Sequence, residues 1–365
     1  MKQITKLLIL ATILIAFGCD NEREPRRPDF RLSYENQIKR DLMVFSQTGL
    51  TPKSVLKSYQ QSPHTRLYVE IVDGEVRYTT DDRDSLRLDR AAQIIQLIRQ
   101  SVRAYGKLQN MALVFNLLDE PQIKICRTDK CESLPLFSFQ KTDDYADILF
   151  PYVPQFLNID SRYKDINSLD VSWESKVEQL VWRGSQTGGV FDATNWKEFG
   201  RSKLVLKCNE IPALCNAGFS SYSQVTEEGM LAMAGEIGLK ERISEPEMMK
   251  WKYVASYDGN GWADRFVRLL ASGSVVFKQD SPFYEFFYSS LVPYKHYLPV
   301  KQDSSDLAEQ ILWARQNDSK VRIIVKNANE FVGSQMRQPM VEQYVYRLLQ
   351  TYGDLQRWGD LGTAI

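Results

Sequence analysis

The chain has 365 residues, more than twice the roughly 150 of a typical domain, so two domains is the working count. It is 43% hydrophobic and 12% aromatic, which excludes wholesale disorder, and its 46 Lys and Arg balance 46 Asp and Glu without runs of one sign, which excludes a nucleic-acid footprint. His64 and His296 are the only histidines, so a His-rich metal centre cannot be built and chemistry must rest on carboxylates, arginines and hydroxyls.

In chain order, Lys2 and Lys6 precede an apolar run at 7–18, the length of a signal-peptide core and short of the roughly 20 residues that a membrane-spanning helix needs. Ala16-Phe17-Gly18-Cys19 has the small-residue-then-cysteine ending of a bacterial lipoprotein signal, with an uncleaved signal anchor as the alternative. Residues 20–31 read as a linker. The other cysteines fall into two close pairs, Cys126/Cys131 and Cys208/Cys215; behind an export signal that pattern favours two short-loop disulfides in an oxidising compartment, against free thiols facing the cytoplasm.

Ala91, Ile94, Ile95, Ile98, Val102 and Tyr105 recur at helical spacing, and the apolar run 111–118 follows, so a helix is expected to feed a buried strand ending at Asp119. So continuous an apolar strand predicts a parallel sheet covered on both faces, with functional groups just beyond the strands' carboxyl ends. A second block predicts strands at 177–182 and 251–257, a helix at 262–271, a strand at 273–278, a helix at 306–315 and a short strand at 321–325. Val341, Tyr344, Val345, Leu348, Leu349 and Tyr352 predict a C-terminal amphipathic helix. The expected architecture is two α/β halves facing a central cleft: leader and linker to residue 30, a first half at 31–172, a second at 173–335, and the helix at 336–365.

Three stretches could carry chemistry. Arg183-Gly184-Ser185-Gln186-Thr187-Gly188 sets a cation, hydroxyls and glycines at the end of a strand, where they suit a phosphate; an ordinary turn with a salt-bridged arginine is the alternative. Asp258-Gly259-Asn260-Gly261-Trp262-Ala263-Asp264-Arg265 is a glycine-rich bend entering a helix, whose first amides would point at an anion; the alternative is a β-turn. Asp119 ends a buried strand, where burial would suit it to general-base work, or it is a cap or turn residue. Asp143, Asp144 and Asp147 read as solvated, as do Arg201 and Lys203.

Assembled, these residues resemble the CAP10-domain glycosyltransferases, which include the protein O-glucosyltransferases and fungal capsule xylosyltransferases. The resemblance runs over residues 36–331. It is carried by Gly273-Ser274-Val275-Val276-Phe277-Lys278, Glu285-Phe286-Phe287-Tyr288 and Leu291-Val292-Pro293-Tyr294-Lys295-His296-Tyr297-Leu298-Pro299-Val300, with Arg183-Gly184-Ser185, Phe137-Ser138-Phe139 and Asn116-Leu117-Leu118-Asp119-Glu120-Pro121 in support. It implies a GT-B architecture of two Rossmann-like domains, a UDP-sugar donor, inversion at the anomeric carbon and no obligatory metal or other cofactor. By motif position it implies Asp119 as catalytic base and Ser185, Arg201, Asn260, Gly261, Trp262, Ala263, Asp264 and Arg265 as the donor site, with Arg183 beside it; Arg201 is thereby promoted from a solvated face. The stretch between Pro151 and Val171 is shorter than in the animal enzymes, where it helps hold a peptide, so the acceptor is left open among a glycan, a lipopolysaccharide-type polymer and a protein hydroxyl. The last four residues, Gly362-Thr363-Ala364-Ile365, carry no Lys-Asp-Glu-Leu-type retention signal, so an animal-type endoplasmic-reticulum role is not expected. The leader implies attachment to a membrane and an extracytoplasmic location, with the cytoplasmic face as alternative. A non-catalytic envelope lipoprotein using the same cleft to bind a sugar or nucleotide is the competing expectation.

Overall fold

A computed structural model describes residues 34–46, 49–126 and 132–356. The leader with Cys19, the Cys126–Cys131 pairing, which needs Cys131, and residues 357–365 lie outside the described residues.

The first half opens with helices α1 (Glu35–Ser46) and α2 (Pro52–Gln60); Thr51 and Ser54 form a capping box at the start of α2, where Pro52 occupies the first turn. Strands β1 (Arg66–Val72) and β2 (Glu75–Thr79) are joined by Asp73-Gly74, both at positive φ, the two-residue turn that matches strand twist. Helix α3 (Ser85–Tyr105) is capped by the Asp84 carboxylate and feeds β3 (Met111–Asn116); short strands β4 (Phe137–Ser138) and β5 (Ile148–Leu149) and helices α4 (Val153–Phe156) and α5 (Ile159–Ile166) follow. The sheet order is β2-β1-β3-β4-β5, antiparallel from β2 to β3 and parallel from β3 to β5. The expected all-parallel sheet is therefore a mixed one. All six residues of β3 are buried because α1 and α3 cover one face and α2 the other, and a continuous apolar run reports that double burial, not the direction of its neighbours.

The second half contains β6 (Val177–Ser185), α6 (Gly200–Glu210), β7 (Cys215–Ser221), α7 (Glu227–Glu236), α8 (Glu245–Met248), β8 (Trp251–Ser256), α9 (Phe266–Leu270), β9 (Val275–Gln279), β10 (Leu298–Val300), α10 (Leu307–Gln316) and α11 (Asp318–Gln335). Its sheet, β10-β9-β8-β6-β7, is parallel throughout. A Cys208–Cys215 disulfide ties the end of α6 to the start of β7. Two expectations fail here. Residues 321–325 lie inside α11, because Val321, Ile324, Ala328 and Phe331 are buried at a helical period that five β-branched-rich residues alone conceal. The helix expected at 262–271 is confined to the five residues of α9, because the Trp262 amide donates to the Gln140 side chain instead of opening a helical turn.

A last helix, α12 (Gln338–Leu355), returns to the first half and packs against α3 and α1. It buries Val341, Tyr344, Val345, Leu348, Leu349 and Tyr352; Tyr344 donates to the Leu149 carbonyl, and the Gln356 amide pairs with both backbone groups of Ala112. The halves share a continuous apolar core in which Phe286 touches Tyr34, Phe156 and Tyr344, and Lys141 and Tyr284 exchange two backbone hydrogen bonds across the junction. This junction holds the carboxyl ends of β3, β6 and β8 around one cleft.

Candidate active site

Beyond β3, Asn116 accepts from the Leu118 amide at 3.0 Å and donates to the Glu120 carbonyl at 2.7 Å, which folds the chain into the turn that carries Asp119. The far side of the turn is held by Asp147, which accepts from the amides of Gln122 (3.0 Å) and Ile123 (2.8 Å) and from the Ser138 hydroxyl (2.6 Å). Asp147 is thus fully buried and not solvated as expected, and burial raises its carboxyl pKa against these hydrogen bonds, while Asp143 and Asp144 are exposed. The Asp119 carbonyl accepts from Gln140 at 2.6 Å, and its carboxylate lies 2.8 Å from the Arg90 guanidinium. The burial expected for this carboxylate is only partial: its side chain is 31% exposed, and the ion pair with Arg90 holds it.

The opposite wall is built from strand ends. Arg183, Gly184 and Ser185 continue β6, so the turn expected from Arg183 begins three residues later, at Gln186. Arg201, in the first turn of α6, donates to the carbonyls of Ser185 (2.9 Å), Asp258 (2.9 Å) and Tyr257 (3.3 Å), gathering the ends of β6 and β8. It is no solvated residue: burial, and then the neighbouring Arg265, push its pKa down to about 10. Arg265 donates to the Arg183 carbonyl at 2.8 Å, and burial lowers its pKa also. A guanidinium has five N–H groups, so both arginines keep donors after these bonds are made. Asn260 accepts from the Gly188 amide at 3.0 Å and holds the loop after β6. Gly261 is required by close approach, since a Cβ there would lie 1.8 Å from the Gln140 amide nitrogen. Burial pushes the Asp258 carboxyl up to about 6, outweighing the attraction of Lys278 and Arg201.

Between the walls is a cleft of about 280 Å³. Asp119 lines it with Arg90 and Tyr152 on one side; Ser185, Thr187, Arg201, Gly259, Asn260, Gly261, Trp262, Ala263, Asp264 and Arg265 line the other. Of the ten residues assigned to catalysis or donor binding from the sequence, only Arg183 does not line this cleft. It is 7% exposed, gives its donors to Glu241, Trp182 and Asn216, and borders an adjoining cleft that shares Ser185 and Arg265. Arg90 and Tyr152 complete the first wall without a sequence motif that marks them. Arg90 flanks the buried face of α3, 29 positions before Asp119, and no local spacing links the two. Among the described residues no three His, Cys, Asp or Glu side chains gather where a metal could be held, and no helix is long and apolar enough to cross a membrane.

Chemically, the cleft opposes a carboxylate able to take a proton to two arginines able to neutralise an anion. The sequence profile of Glycosyl transferase family 90 matches residues 31–359, and the chain belongs to that family. Protein O-glucosyltransferase 3 of Rattus norvegicus is 30% identical over 257 residues, covering 68% of this chain and 48% of that protein. Protein O-glucosyltransferase 2 of Danio rerio is 28% identical over 88% of this chain and 62% of that protein, and Protein O-glucosyltransferase 1 of Homo sapiens 26% over 87% and 79%. The chain spans about half the length of the first of these relatives. A solved structure, Anabaena Alr3699/HepE in complex with UDP-glucose, is 15% identical, covers 52% of this chain and 53% of that one, and has a TM-score of 0.35, too slight a likeness to argue from.

Proposed function

We propose that this protein is an inverting glycosyltransferase that moves a sugar such as glucose or xylose from a UDP-sugar to a hydroxyl group, with its two halves arranged as in GT-B enzymes. The observation that supports this reading is the division of the cleft: the carboxylate of Asp119 lines the first wall, and the guanidinium groups of Arg201 and Arg265 line the second. As the acceptor oxygen attacks the anomeric carbon from the face opposite UDP, its proton passes to Asp119, and the carbon–oxygen bond to the diphosphate breaks with its electron pair leaving on UDP. Arg201 and Arg265 face the charge that develops on the diphosphate, Ser185 and Asn260 donate hydrogen bonds, and Gly261, Trp262, Ala263 and Asp264 shape the seat. Arg183 contributes from behind, since its carbonyl holds Arg265. No metal or other cofactor enters this scheme.

The names of the relatives favour a protein hydroxyl as acceptor; a glycan or a lipopolysaccharide-type polymer is the other class. Division of the chain into an acceptor-side half to residue 172 and a donor-side half from 173 belongs to the same reading, as do membrane attachment through the N-terminus and an extracytoplasmic location. A purely binding protein has no support from the family. The test is UDP release from a panel of UDP-sugars, with water as acceptor of last resort, with and without EDTA. Turnover of one donor that survives chelation is expected; a protein that binds UDP yet turns over no donor would overturn the enzymatic reading, and complete loss in EDTA restored by manganese would overturn metal independence.

A further inference from the structure

We infer that Arg90 is the positioning residue of the proposed base, fixing one oxygen of Asp119 so that the other is presented to the incoming hydroxyl. This rests on the reading of Asp119 as the base. Arg90 bridges the turn at both ends. Its Nη1 donates to the Leu117 carbonyl at 2.8 Å, two residues before Asp119, while its Nη2 lies 2.8 Å from Asp119 Oδ1. The carboxylate is thereby tied to its own backbone, and its torsion follows the strand end that carries it. Arg90 is itself held: its guanidinium lies 5.5 Å from the ring centre of Tyr152 and 6.0 Å from that of Phe139, and its side chain is 20% exposed.

A carboxylate has two oxygens, and with Oδ1 occupied the proton goes to Oδ2. Three further charged groups line the cleft. Arg201 and Arg265 are the cations of the opposite wall, and Asp264 is an exposed carboxylate beside them. Without Arg90, those two arginines are the cations left to attract Asp119, and pairing with them would bring the base across the space that the donor occupies. Tyr152 also meets Trp262 edge to face at 5.0 Å, so the contacts run from Asp119 through Arg90 and Tyr152 to the donor-side loop.

The test uses the full chain and reads UDP release from the UDP-sugar it turns over, with water as acceptor, together with UDP affinity and thermal midpoint. Arg90→Met should lower turnover about 10²-fold, the scale of an ångström's misplacement, with UDP affinity within about twofold of the parent. Methylguanidinium added to Arg90→Ala should restore part of the rate, which a purely structural role would not allow. Because Arg90 acts through Asp119, the double variant Arg90→Met/Asp119→Asn should be no slower than Asp119→Asn alone. Parental turnover in Arg90→Met, multiplicative losses in the double variant, or a loss matched by lost UDP affinity and no rescue would each overturn the inference. If Asp119→Asn itself turned over at the parental rate, the reading of the base would fall first, and the two failures are told apart by that single variant.

Discussion

On one wall of the cleft a carboxylate is held by side chains; on the other, cations are held by backbone. Asp119 sits in a turn organised by Asn116 and Asp147 and takes its direction from Arg90, residues drawn from the end of β3, the loop before β5 and helix α3. Arg201 and Arg265 take theirs from the carbonyls of Ser185, Tyr257, Asp258 and Arg183, which are the ends of adjacent parallel strands. The difference follows from the sheets. A parallel sheet delivers several strand ends, with their carbonyls, to one edge, and arginines can gather there. The mixed first sheet delivers fewer, so polar side chains must do the positioning. The two walls should therefore fail separately, and variants on each can test that.

The largest effect is expected from Asp119→Asn. It is nearly isosteric and lies across the cleft from the arginines, so fold and UDP affinity should persist while turnover falls roughly 10²–10⁴-fold, the usual worth of general-base catalysis. Loss of UDP binding in the same variant would show that the walls are not independent. Next comes Arg265→Ala, which should remove about 2–4 kcal/mol of transition-state stabilisation and, unlike the first variant, weaken UDP binding as well. An Arg265→Ala protein with parental UDP affinity would mean that this wall does not hold the diphosphate.

A smaller effect should come from the seam between the walls. Gln140 is fully buried, donates to the Asp119 carbonyl and accepts from the Trp262 amide, so one side chain sets the spacing of the two sides. Gly261→Ala would push that side chain away and break both bonds, leaving buried polar groups unpaired at about 2 kcal/mol of stability. Because the bonds lie on both walls, turnover and UDP affinity should fall together, in contrast to Asp119→Asn. A parental thermal midpoint would show that Gln140 has room to move.

Much of this was legible in the sequence where the signal is local. Helix α3 and strands β3, β6, β8 and β9 lie where periodicity puts them, and nine of the ten residues picked from strand ends and motif positions line one cleft. What escaped is tertiary. The direction of β1 relative to β3 leaves no mark on a strand that is apolar throughout. The burial of Asp147 depends on amides of residues 122 and 123, which a polar stretch of sequence does not announce. Arg90 meets Asp119 only because α3 and β3 pack side by side. Arg183 shows the reverse limit: a cation in the right motif is committed to carbonyls that only the folded sheet supplies.

The smallest prediction concerns the pH response of the second wall. Asp258 lies where the chain leaves β8; its carbonyl holds Arg201, and burial raises its carboxyl to about 6 although Lys278 and Arg201 favour the charged form. An unfolded aspartate titrates near ~3.9, so between about pH 4 and 6 the folded protein holds a proton that the unfolded chain has lost. Stability must then fall as pH rises through that window, and the full cost of a desolvated charge remains above it. Asp258→Asn removes the charge with little change of shape. It should leave stability unchanged near pH 4 and raise it by on the order of 1–2 kcal/mol at pH 8, read as a difference in urea midpoints at the two values. If Asp258→Asn were instead less stable than the parent at pH 8, the attraction of Lys278 and Arg201 would outweigh burial, and the second wall would depend on a carboxylate as the first does.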